Sequence, residues 1–445
     1  MDGEGPLHEG ERLGPAPPVP ESGARRLAQL TAIDLGPLRR HRDYRLLWIG
    51  LAVSFFGTEM TYVAVPYQTY KLTGSTAVVG LLALVELVPL LASAVVGGAF
   101  ADAIDRRRMV RFTEIGLAGL SALLLVNSLL PSPQLWIIFV VAALSAGLGG
   151  FLRPSLDALT PRLVERDELI AASALDSLRF QVGTIGGPIL AGVLIATIGL
   201  PGVFAIDIAT FLVSLTALTM MRAVPPPPDA ERPSLKRIAE GFRYAWSRPE
   251  LVGTYGVDMV AMFFGMPQAL FPALANKFGG AGVLGLLYAA PSAGSLVATV
   301  TSGWTSRVHR HGLGVIIAAA AWGVGIIVLG VAPWLWLALG ALAFAGAADM
   351  VSGIFRSTIW NQTIPDRLRG RLAGIEQVSY SSGPLLGDLE AGVVGAIAGV
   401  RASIISGGIL CVIGVGVAAL LLPAFRRYDA RTFEPEADPA PAPAT

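Results

Sequence analysis

Carboxylates stand inside long apolar runs of this chain, with Glu59, Glu86, Asp258, Asp349 and Asp388 as the candidates for function. A carboxylate near the centre of a membrane-spanning helix costs roughly 2.5–3.5 kcal/mol to insert, so such residues are retained for function. The chemistry open to them is proton exchange, because a carboxyl held away from water can take up a proton on one side of a barrier and release it on the other. Glu59 is the leading carrier on this reading: it falls about halfway along the first run and shares a helix face with Tyr62 and Pro66. Asp388 and Glu390 are two positions apart, roughly 200° around a helix, so both cannot face one cavity. Arg179, early in the fifth run, is placed to pair with one of these acids. Tyr62, Gln68, Phe264 and Gln268 supply aromatic and amide groups suited to lining a cavity for an organic molecule.

Other chemistries find no support. The four histidines (His8, His41, His309, His311) lie in the tail or in connections without metal-ligand spacing. The single cysteine, Cys411, excludes an internal disulfide and a cysteine-based metal site. No His/Cys/Asp constellation marks an enzyme, and no GxxxxGK[ST] loop marks an ATP-driven machine. The expectation is therefore no metal and no cofactor, with a proton gradient as the energy source. A net charge of +1 gives no overall basic field for nucleic acid.

The elements that must position these residues are membrane helices. Of 445 residues, 53% are hydrophobic and 15% charged, too apolar for a soluble protein of this size. A bilayer core needs about 20 apolar residues per span and forces each span to satisfy its own backbone, which makes the runs helices. Twelve spans are expected, at roughly 45–70, 76–101, 109–131, 134–156, 169–198, 202–222, 250–275, 281–304, 312–331, 334–355, 371–398 and 401–423. Basic residues crowd alternate connections, including 102–108, 153–168 and 356–371, whereas only Lys71, Lys277 and Arg401 fall on the other side. The positive-inside rule then puts both termini in the cytoplasm of a multi-pass plasma-membrane protein.

Five segments follow. Residues 1–36 and 426–445 read as disordered tails, and 37–222 and 249–425 as six-helix bundles. The connection 223–248 reads as a cytoplasmic linker carrying an amphipathic helix, with Leu235, Ile238, Phe242 and Trp246 on one face. The bundles echo each other. Phe151-Leu-Arg153-Pro154 and Pro161 recur as Ile354-Phe-Arg356 and Pro365, and Gly187-Pro188 of the fifth span recurs as Gly383-Pro384 of the eleventh. Two related halves with a site between them at mid-membrane is the logic of secondary transporters.

Two motifs sharpen this. Between spans two and three runs Gly98-Ala-Phe-Ala-Asp102-Ala-Ile-Asp105-Arg106-Arg107-Arg108, and span five carries Gly183-x-x-x-Gly187-Pro188-x-x-Ala191-Gly192. On these motifs the chain resembles the major facilitator superfamily from Leu38 to Arg427, and in particular the branch holding the siderophore (enterobactin-type) exporters. The loop departs from that family's pattern at Ala103 and Asp105, and the span-five motif departs only at Ala191. The resemblance implies an all-α membrane protein whose twelve transmembrane helices form two pseudo-symmetric six-helix bundles. In that fold spans one, four, seven and ten line the cavity and span six is peripheral, which favours Glu59, Asp258 and Asp349 over Asp207. It also implies that Gly98, Asp102, Asp105, Arg106 and Arg107 form a cytoplasmic gating latch, with Arg106 and Arg107 pairing across the seam between halves. Gly183, Gly187, Pro188 and Gly192 take the family's antiporter role. The function implied is a proton-coupled exporter of a small amphiphilic organic molecule, such as a drug or siderophore, working as a monomer in the lipid bilayer by alternating access. A proton-coupled importer and a lipid translocator are the alternatives.

Overall fold

The structure, a computed structural model, describes residues 34–103, 105–222 and 243–431. Most of the N-terminal tail, the C-terminal tail beyond 431 and linker positions Leu235, Ile238 and Phe242 lie outside the described residues, while Trp246 is described and exposed.

Among the described residues there are twelve long helices: α1 (Arg42–Thr73), α2 (Thr76–Ala103), α3 (Arg106–Leu129), α4 (Leu135–Leu159), α5 (Leu169–Thr197), α6 (Gly199–Met220), α7 (Pro249–Gly265), α8 (Ala281–Val300), α9 (His311–Val331), α10 (Leu335–Thr363), α11 (Asp366–Ala398) and α12 (Val400–Leu421). Eleven of the segments are long and apolar enough to cross a membrane. The twelfth, α11, is 33 residues long and opens on a charged stretch, DRLRGR, before its apolar part. No strand occurs among the described residues. The all-α, twelve-helix membrane architecture expected from the sequence is the one observed.

Two departures from the expected spans bear on function. The seventh span is not continuous: α7 stops at Gly265, Met266 is extended, and the chain resumes in a 3₁₀ turn (Gln268–Leu270) and a short helix (Phe271–Phe278). Pro267 causes this, since a proline lacks an N–H and forces the residue before it out of the helical region. The tenth span also runs further than 355, so Arg356 lies within α10 and is buried, not in a basic connection.

The helix pairings repeat when six is added to each number. α1 packs on α5 and α6 as α7 packs on α11 and α12; α2 packs on α4 as α8 packs on α10; α3 packs on α4 and α6 as α9 packs on α10 and α12. The halves meet along two equivalent seams, α2 against α11 and α5 against α8. Each seam is closest where glycines face the neighbouring backbone. A methyl group on Gly80 would meet the Asp388 carbonyl oxygen at 2.7 Å and the Gly392 Cα at 3.2 Å. One on Gly192 would meet the carbonyl oxygens of Ala281 and Gly282 and the amide nitrogen of Gly285, each at 3.0 Å. Small residues permit this approach in a membrane, where packing replaces the hydrophobic drive. The Thr76 hydroxyl donates to the Gly392 carbonyl at 2.9 Å and secures the first seam.

Candidate functional site: a cavity between the halves and its neighbour

Between the seams lies a cavity of about 240 Å³ lined by both halves. α1 contributes Thr61 and Tyr62, α2 Glu86, α3 Ser121, α6 Asp207, α8 Tyr288 and α11 Asp388, while Gln268 and Ala269 come from the α7 break. The break has a direct consequence: the Ala269 amide, free of the helical ladder, donates to Asp388 Oδ1 at 2.9 Å. Tyr62 donates its hydroxyl to Gln268 Oε1 at 2.5 Å and meets the Tyr288 ring edge-to-face at 5.6 Å, so one tyrosine joins the first half to the second. Glu86 makes no hydrogen bond or ion pair among the described residues, although it lines the cavity.

Asp207 is better placed than the family pattern implies. It lines this cavity and accepts from Thr61 at 2.7 Å and Ser121 at 2.5 Å, which ties α6 to α1 and α3. The expectation of a peripheral Asp207 is corrected: α6 is an outer helix, yet its inner face reaches the cavity between α1 and α3.

A second cavity of about 280 Å³ lies in the C-terminal half and shares Gln268 with the first. Asp258, Asp349 and Arg356 line it, with Tyr380, Met262, Met266 and Trp322. Arg356 is ion-paired to Asp258 and lies 3.3 Å from Asp349, and its guanidinium stands over the Tyr380 ring at 5.2 Å. Asp258 and Asp349 thus both meet the buried Arg356, Asp258 from a buried position and Asp349 with a side chain that is 39% exposed.

The remaining expected residues fall elsewhere. Glu59 lies against α5, where a methyl on Gly187 would strike its Cβ, and does not line either cavity. Gln68 is buried outside the cavities with its Oε1 unpartnered among the described residues. Phe264 also lies outside them, stacked edge-to-face on Phe263 at 4.9 Å, with its carbonyl against Gly407 of α12. Arg179 pairs with Asp176 at 3.7 Å, not with a cavity acid.

The span-five motif divides by face. Gly183 and Gly187 receive Phe55 and Glu59 of α1, whereas Pro188 and Gly192 present backbone to Gly285 across the seam. In α11, Gly383 and Gly387 face Met262 and Met266 of the α7 segment in the same manner.

At the end of α2 and in the turn to α3, the side chains at positions 94–104, Gly98 and Asp102 among them, lie outside the described residues. Asp105 is described, and it caps α3 by accepting from the amides of Arg107 at 2.9 Å and Arg108 at 3.3 Å. Arg106 opens α3. Arg107 does not reach across the seam: its Nε and Nη2 donate at 2.8 Å to the Leu218 and Thr219 carbonyls at the end of α6, in the same half. A cation satisfying the unpaired carbonyls of a helix C-terminus is favourable electrostatically.

Sequence reasoning did not single out Tyr288, Ser121, Thr61 or Gly285. A Gly285 signal was available, since its place near the start of α8 matches that of Gly80 in α2.

Known proteins resemble the chain along nearly its whole length. A family model described as "Transmembrane secretion effector" matches residues 32–444. The Enterobactin exporter EntS of Citrobacter koseri is 30% identical over 415 residues, covering 92% of this chain and 98% of that protein. The protein of the same name from Shigella boydii serotype 4 is 29% identical over 402 residues, covering 89% and 95%. Among solved structures, a bacterial homologue of the human lysosomal transporter Spinster, in an inward-facing and unoccupied conformation, aligns with a TM-score of 0.67 at 16% identity, covering 88% of this chain and 99% of that one.

Proposed function

We propose that this chain, which belongs to the transmembrane secretion effector family of the major facilitator superfamily, is a proton-coupled exporter of a small amphiphilic organic molecule, such as a drug or siderophore. The observation that carries the reading is the 240 Å³ cavity between the halves, lined by three carboxyls, Glu86, Asp207 and Asp388. Relatives named as enterobactin exporters support the outward direction.

In this proposal substrate and proton use the same cavity in turn. Glu86 and Asp388 carry the proton: Glu86 lines the cavity with its side chain unpartnered among the described residues, and Asp388 of α11 is hydrogen-bonded to the α7 break. Glu59, behind them against α5, is a secondary candidate. The seams at Gly80–Gly392 and Gly192–Gly285 close the end away from the termini. The Tyr62–Gln268 bond adds a tie between the halves at the cavity. Opening would break that tie while the bundles rock about the site. The protein works as a monomer in the plasma membrane with both termini cytoplasmic.

The test is flux in proteoliposomes holding the purified protein and an imposed pH gradient. A transported compound should collapse the gradient with the wild type and fail to do so with Glu86→Gln or Asp388→Asn. Transport indifferent to the gradient would refute proton coupling, and accumulation toward the side of the termini would turn the exporter into an importer.

A further inference from the structure

We infer that the exported molecule carries a positively charged amine or onium group, seated at Glu86 beside the rings of Tyr62 and Tyr288. This rests on the transporter reading above and adds the charge of its substrate. Among the described residues, the two neighbouring cavities are lined by five carboxyls (Glu86, Asp207, Asp388, Asp258 and Asp349) and by one guanidinium, Arg356. That guanidinium is already held by Asp258 and Asp349, so it offers little to an anionic substrate. An anion entering this lining meets like charge with no free described cation, whereas a cation meets complementary charge, and such juxtapositions decide specificity.

The five acids are not equivalent. Asp207 is bonded to Thr61 and Ser121, Asp388 to the Ala269 amide, and Asp258 and Asp349 to Arg356. Glu86 alone lines the cavity without a hydrogen bond or ion pair among the described residues. The same cavity is lined by Tyr62 and Tyr288, whose rings meet edge-to-face at 5.6 Å and 76°, and an aromatic ring bordering a cavity attracts a desolvated cation. The adjoining cavity adds Met262, Met266 and Trp322 for an apolar body. The cavities of about 240 and 280 Å³ adjoin at Gln268, and their summed volume is that of a site for a drug-sized ligand. The exchange balances: the cation enters as the Glu86 carboxyl releases its proton to water, and reprotonation expels the cation. Cargo and proton therefore exclude one another at a single oxygen pair.

Equilibrium binding of tetraphenylphosphonium, a permanent cation that cannot itself titrate, to the purified full-length protein tests this directly. Saturable binding is expected with the wild type, weakened about tenfold or more by Glu86→Gln and retained by Glu86→Asp. A catecholate bearing no amine should not compete. Absence of saturable binding, equal binding to Glu86→Gln, or effective competition by the catecholate would overturn the inference. Gradient-coupled flux of an anionic catecholate through the same protein would sink this inference while leaving the transporter reading intact. Tetraphenylphosphonium binding that depends on Glu86, with no proton-coupled flux of any compound, would support the inference and defeat the coupling.

Discussion

Replacing Arg356 by methionine should cost more stability than any single change in the cavity acids. The Arg356 side chain is 3% exposed, paired with Asp258, 3.3 Å from Asp349 and stacked over Tyr380 at 5.2 Å. Methionine fills much of its volume but leaves two carboxylates facing each other with no cation. Removing one member of a buried pair costs about 3–5 kcal/mol, because the desolvation of the survivors is no longer compensated. At 1.4 kcal/mol per tenfold, that is a loss of roughly 10² to several 10³ in the folded-to-unfolded ratio. The chain contains its own reporter: Cys411 is the single cysteine and is fully buried, so a thiol-reactive fluorophore labels it only as the C-terminal half opens. Heating the detergent-solubilised protein with such a dye should show a lower midpoint for Arg356→Met. Adding Asp258→Asn should restore part of the loss, with a coupling of about 0.5–3 kcal/mol between the two sites. Wild-type melting of Arg356→Met, or strictly additive losses in the double variant, would show that the cluster is not a coupled unit.

Four further outcomes are expected. Gly285→Leu places a side chain against the Pro188 carbonyl, so transport should be lost while membrane expression stays normal, as checked by flux and surface labelling. Tyr62→Phe removes the bond to Gln268, worth about 0.5–1.5 kcal/mol, and should depopulate the observed arrangement about two- to tenfold in distance measurements between spin labels on the two halves. Asp207→Asn keeps the volume but alters the bonds to Thr61 and Ser121, and should reduce transport despite the position of Asp207 on an outer helix; unchanged flux would make its cavity place incidental. Asp105→Ala removes the α3 cap at about 0.5–2 kcal/mol, so hydrogen exchange at the Arg107 and Arg108 amides should speed up by about 2- to 30-fold.

Much of the architecture was readable from the chain because lipid imposes length and polarity on each span. The twelve helices and the Gly-Pro echo of spans five and eleven come from that constraint. What failed is rotational and tertiary. Hydropathy gives a residue's depth but not which way it faces around the helix, so it left open that Glu59 lies against α5, and the family resemblance, which made Asp207 peripheral, left open that its side chain reaches the cavity. Arg356 was misread for another reason: arginine at a helix end usually marks a connection, and only its partners on α7 and α10 show why it stays inside. Arg107 likewise satisfies carbonyls of α6, a backbone need that no side-chain motif reveals.

The glycine contacts also fix the gearing of any motion. They sit near the far ends of their helices: Gly192 lies 23 residues beyond the first residue of α5, Leu169, a helical length of about 35 Å. A half turning by roughly 10° about that contact would carry the opposite end through about 6 Å, while the backbones at the fulcrum hardly shift. The fulcrum presents backbone and little side chain, so it gives the moving bundle few side-chain interlocks to break. On the proposed rocking of the bundles, cavity residues can be exchanged without altering the mechanics of the lever.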